Sequence, residues 1–189
     1  MKKVLIPSFI IGVLSFIIFF LLPNYILLFV FSGKQFYAGE VWRLLTFSFT
    51  HINIIHLLQN LMALVVLAIL AYEFELEFNM FNALFLLSSF GIALTAGILF
   101  PEIYIAGASL GLYAVLGYLA LKGANFISKY ITIPVFLLSI FIDKIPGGLI
   151  ALYSDLSLVF HILGFISGIL IFIIVKLLKE RGIYILQHG

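Results

Sequence analysis

Four stretches of this chain, 4–22, 52–72, 80–100 and 156–178, run for 19 to 23 residues each and together hold one charged residue, Lys176. A helix rises about 1.5 Å per residue, so about 20 apolar residues cross the roughly 30 Å hydrocarbon core of a bilayer. Inside that core the backbone must satisfy its own hydrogen bonds, which makes each stretch a helix. Of the 189 residues, 65% are hydrophobic and only 10% are charged. The expected class is therefore an all-α polytopic membrane protein. The chain has no cysteine, which excludes disulfides, thiolate catalysis and Cys-based metal sites. No basic cluster suits nucleic acid.

In order, Met1-Lys2-Lys3 and the run to Leu22 look like a signal peptide, but no A-x-A-like site follows. The run reads as a retained first transmembrane helix, ended by Pro23-Asn24. Residues 24–45 form a long outer loop, with Trp42-Arg43 suited to the membrane interface. Helix 2 is expected over 52–72, helix 3 over 80–100 and helix 6 over 156–178. Helix 5 is expected over 126–142 with a kink at Pro134, followed by a loop over 143–155. Residues 179–189 make a polar cytoplasmic tail. The chain reads as one domain, 1–189, without internal repeats.

Helix 4 is the exception. Its apolar run, Ser109 to Leu121, has 13 residues, and so covers only about 20 Å. To reach the far surface it must begin below the near one, so the loop before it dips into the membrane. That places Ser109 at a helix N-terminus, inside the membrane layer and beside water. Free N–H groups and the positive end of the helix dipole suit a developing anion there. Ser109 also has a plain reading as an N-cap.

With six spans both termini share one side. The loops, termini and adjoining helix ends of that side carry seven of the ten Lys and Arg residues. By the positive-inside rule both termini are cytoplasmic and the start of helix 4 lies in the outer half, in a cell (plasma) membrane protein.

Polar residues within spans are functional unless they serve as interhelical glue. His56 and Asn60 on helix 2 lie four apart and share a face. His51 lies five before His56, about 140° around a helix, and is expected to point elsewhere and to bond the 24–45 loop. On helix 6, Gly164 and Gly168 flank the face of His161 and allow close approach of another helix. Gly111, Ala114 and Gly117 of helix 4 offer a matching thin surface. Packing helix 4 on helix 6 would bring His161 near Ser109, the minimum for nucleophilic catalysis. His56 and Asn60 can donate hydrogen bonds to an oxyanion. Tyr113, four after Ser109, can pack on the His161 ring. No carboxylate is placed as a third member. Metal binding is disfavoured because His51 and His56 do not share a face and no H-E-x-x-H occurs. Absence of mid-membrane Asp argues against an aspartyl protease. Absence of mid-membrane charge and of inverted repeats argues against a transporter.

These residues resemble the rhomboid intramembrane serine proteases over nearly the whole chain. The shared marks are Trp42-Arg43, His51-x4-His56-x3-Asn60, Gly107-Ala108-Ser109 and His161-x2-Gly164. The resemblance implies a six-transmembrane-helix bundle with a short central helix 4. It implies Ser109 as nucleophile, His161 as general base, and an oxyanion hole of His56, Asn60 and the Ser109 N–H. Tyr113 matches an aromatic stacked on the catalytic His, and Arg43 a structural residue of the first loop. Substrates would be transmembrane segments of other membrane proteins within the lipid bilayer, with no cofactor and no metal. The alternative is an inactive relative that binds transmembrane segments. One position departs from the family's G-x-S-G: Leu110 stands in place of the final Gly. Its side chain either pushes helix 4 from a neighbour and misplaces Ser109, or points to lipid.

Overall fold

A computed structural model describes residues 4–22, 24–125 and 154–182. Among them, α1 (Leu5–Leu21) leads into a first loop that is itself built of short pieces. These are α2 (Tyr25–Phe29), α3 (Gly33–Tyr37), α4 (Arg43–Thr46) and a 3-10 turn (Phe47–Phe49). The long helices α5 (Ile54–Glu73) and α6 (Phe78–Leu99) follow, then α7 (Ser109–Lys122) with a 3-10 turn (Gly123–Asn125), and last α8 (Ser154–Glu180). Expected helices 1, 2, 3, 4 and 6 thus appear as α1, α5, α6, α7 and α8, with ends moved by two residues or fewer. Helix 5 with Pro134, the 143–153 part of the following loop, and the tail beyond residue 182 lie outside the described residues.

Local chemistry sets these ends. The Asn53 side chain accepts the His56 N–H at 2.8 Å and so caps α5, which starts at the next residue, Ile54. Ser32 accepts the Gln35 N–H at 3.4 Å and starts α3. Asn24 turns the chain out of α1 with φ +56°, a left-handed conformation that Asn tolerates. The α6 helix stops at Phe100, just before Pro101.

The α5, α6 and α8 helices are long and apolar enough to cross a membrane. Phe9, Phe20, Met62, Val65 and Leu87 point outward and stay exposed, which suits hydrocarbon around the molecule rather than water. In contrast, α7 buries most of its length and packs against α5, α6 and α8. It spans 14 residues.

Gly117, Gly164 and Gly168 make the α7–α8 approach possible. A Cβ on Gly117 would strike the Phe165 carbonyl, and one on Gly168 the Ala114 carbonyl. One on Gly164 would stand 2.7 Å from the Leu110 carbonyl oxygen. Gly111 differs from expectation: it faces α6, where a Cβ would lie 2.6 Å from the Phe85 carbonyl oxygen and 2.7 Å from Ser89 Oγ. The reason is angular, since Gly111 lies six residues from Gly117 and so on another side of the helix.

The first loop grips the segment that precedes α7. Phe31 and Ile105 exchange two backbone hydrogen bonds, at 3.0 and 2.8 Å. Lys34 N–H donates to the Pro101 carbonyl at 2.9 Å, and Gly107 N–H to the Phe47 carbonyl at 2.9 Å. Beneath the grip lies a buried apolar cluster of Phe31, Phe47, Ile105, Leu110 and Phe160 with Ala93 and Ala96.

Candidate active site

Ser109 is the first helical residue of α7, not its cap; Ala108 holds the cap position and no side chain bonds there. The first intrahelical bond at this end runs from Leu112 N–H to the Ala108 carbonyl at 3.1 Å. The amides of Ser109, Leu110 and Gly111 precede it, at the end of a helix whose leading N–H groups have no intrahelical partners. The N-cap reading of Ser109 therefore falls away, and its hydroxyl is turned to another use.

That use is His161. Its Nε2 lies 3.0 Å from Ser109 Oγ, across 52 positions of sequence. With the ring proton on Nδ1, Nε2 accepts the Ser109 hydroxyl proton. His161 is 7% exposed, whereas Ser109 is only half-buried, so the hydroxyl can be approached while the ring is held. The Tyr113 ring packs on the His161 ring with centroids 4.4 Å apart and planes tilted by 32°. Tyr113 lies one helical turn after Ser109, which puts both on the face that meets α8.

His56 reaches the same site from α5. Gly107, two residues before Ser109, has φ +107°, and a Cβ there would lie 2.6 Å from His56 Cε1. Only glycine fits both that conformation and that contact. Asn60 sits one turn further along α5; its Nδ2 donates to the His56 carbonyl at 2.9 Å and its Oδ1 has no protein partner. One amide hydrogen of Asn60 is thus spent on its own helix and the other is left for a second acceptor.

His51 differs from expectation. Its ring does not point away from His56 but packs edge-on against it, with centroids 5.1 Å apart and planes at 64°. The reason is that His51 precedes α5 and does not follow helical angles. It meets the first loop through its backbone, whose carbonyl accepts from Tyr25 OH at 2.9 Å. Burial, with the neighbouring His56 adding to it, pushes the His51 imidazole down to about 3. The ring is therefore neutral at ordinary pH.

Arg43 does not reach the site. It is 4% exposed, and its guanidinium donates to the Val30 carbonyl at 2.9 Å, the Leu27 carbonyl at 2.6 Å and the Glu40 carboxylate at 2.6 Å. Trp42 Nε1 donates to the Leu28 carbonyl at 3.1 Å. Both residues tie the first loop together from within.

Among the described residues no three His, Asp or Glu side chains gather as ligands for a metal ion. Sequence reasoning missed the Phe31–Ile105 pairing and the bond from Gly107 to Phe47. Neither segment has the length or the alternation that marks a strand.

The Rhomboid domain family model matches residues 38–177. The chain belongs to the rhomboid family. The match takes in Arg43, His51, His56, Asn60, Ser109, Tyr113, His161 and Gly164, and leaves out α1. No curated protein matches the chain. Rhomboids are generally intramembrane serine proteases. Family and apolar helices together make this rhomboid an integral membrane protein, fitted to a lipid bilayer.

Proposed function

We propose that this rhomboid is a serine endopeptidase that cuts transmembrane segments of other membrane proteins with a Ser109–His161 dyad. The observation that carries this reading is the 3.0 Å approach of His161 Nε2 to Ser109 Oγ at the open end of α7. Ser109 Oγ attacks the substrate carbonyl as His161 takes its proton. The oxyanion that forms is held by the Ser109 N–H, His56 and Asn60, next to the positive end of the helix. His161 then gives the proton to the leaving amine. A water molecule, deprotonated by His161, attacks the acyl-enzyme carbon and frees Ser109. Tyr113 keeps the imidazole in the plane this transfer needs. This reading calls on no metal and no cofactor.

The architecture that goes with this reading is one domain, 1–189, with six membrane spans and both termini cytoplasmic in the plasma membrane. The site then opens to the outer face. A helical substrate hides its carbonyls, so small or helix-breaking residues are expected near the cut. The second reading, a non-catalytic binder of transmembrane segments, rests on Leu110 in place of the family glycine.

The test is cleavage of a single-span model substrate by purified protein in liposomes, with fluorophosphonate labelling alongside. Wild type is expected to cut and to take the label; Ser109→Ala and His161→Ala are expected to lose cutting by at least about a thousandfold. Binding of the substrate with no cutting and no label would favour the binder.

A further inference from the structure

The two residues that adjoin the dyad in sequence, Leu110 after Ser109 and Phe160 before His161, belong to one buried cluster. The same cluster includes Phe31, Phe47 and Ile105, whose backbones carry the hydrogen bonds that grip the segment before α7. Leu110 is 3% exposed, so its side chain does not point to lipid. Nor does it hold α7 away from its neighbours. Its carbonyl lies against Gly164 of α8, and Gly111 still approaches Phe85 of α6 closely. The departure from the family's glycine is thus an added contact that the fold has absorbed.

We infer that Leu110, acting with Phe160, is a positioning residue that sets the distance between Ser109 Oγ and His161 Nε2; this rests on the protease reading above. The first turn of α7 and the stretch of α8 bearing His161 are anchored in the same apolar cluster. A close-packed interior transmits a shift of one member to the others. Removing the Leu110 side chain leaves a void into which the first turn of α7 can relax. A misplacement near 1 Å costs about a hundredfold in rate, so a fraction of that costs about tenfold. The Leu110 side chain is buried and offers no surface to a substrate, so KM is little changed.

The experiment measures kcat and KM on the single-span substrate in liposomes, with kcat counted per site titrated by fluorophosphonate. Leu110→Ala and Leu110→Gly are expected to lower kcat per titrated site about tenfold with KM within about twofold. Leu110→Met, close in volume, is expected to restore kcat to within about threefold of wild type. Leu84→Ala, a fully buried change in the other apolar cluster, is expected to lower the number of titrated sites and leave kcat per site unchanged. If Leu110→Ala behaves like Leu84→Ala, Leu110 only packs and the inference falls. If Leu110→Gly cuts as fast as wild type, or cuts where wild type is silent, the dyad stands and the inference falls. If no variant cuts and Ser109 takes no label in any, the protease reading falls and takes the inference with it.

Discussion

Where α7 meets α8, contact is made by the absence of side chains; where its leading segment meets the first loop, contact is made by large side chains and hydrogen bonds. On the helix side, Gly117, Gly164 and Gly168 let backbones touch. On the loop side, Phe31 and Phe47 fill the space and their backbones bond Ile105 and Gly107. Two helices in a membrane gain little from hiding apolar surface from lipid, so they gain by close approach. An irregular loop cannot do this, because its own amides and carbonyls need partners. The Ser109–His161 pair stands between these two kinds of contact, and each fails in its own way.

The helix side is the less forgiving. Gly168→Val puts two methyl groups and a Cβ against the Ala114 carbonyl, which belongs to a helix and cannot step aside. A loss of about 3 kcal/mol or more is expected, read as a collapse of the thermal unfolding temperature in detergent together with loss of fluorophosphonate labelling. A variant that keeps both would show that the α7–α8 spacing is looser than the glycines imply.

The loop side should fail locally. Arg43→Met removes the donors that serve the Leu27 and Val30 carbonyls and leaves those acceptors unsatisfied. About 2–3 kcal/mol is expected to be lost from the loop, seen as faster tryptic cleavage after the exposed Lys34 while the helices stay folded. Unchanged cleavage would mean that the hydrogen bonds to the 100–108 segment hold the loop unaided. If the helices melt as well, the two regions are one cooperative unit and the contrast between them breaks.

The smallest effect is expected from pH. His51 is held neutral by burial, down to about 3, while in the unfolded chain it titrates near 6.5. Between these values the unfolded chain binds more protons, so stability falls as pH falls. From pH 7 to pH 5 up to about 2 kcal/mol is expected to be lost through this group. His51→Gln should flatten that part of the stability profile; an equal slope in the variant would assign it to other groups.

Much of the site was legible in sequence because it lies on helices, where spacing fixes direction. Tyr113 falls one turn from Ser109, and Gly164 and Gly168 fall on the face of His161. From these positions the α7–α8 contact and the Ser109–His161 approach could be foreseen. Gly111 was misread because a small residue does not announce which neighbour it makes room for. His51 was misread because angular reasoning was extended past the start of α5. Leu110 was foreseen as a wedge or a lipid-facing residue and is neither.

The sequence by itself determined that the chain is helical and bound to a membrane, and which of its polar residues stand in apolar surroundings. These follow from composition and period, which act over a single turn or a single span. Only the tertiary structure decided what grips the segment before α7, where the His51 ring rests, and that Leu110 is enclosed with Phe160. These depend on contacts between segments far apart in the chain, and loop 1 has no period from which its partners could be read.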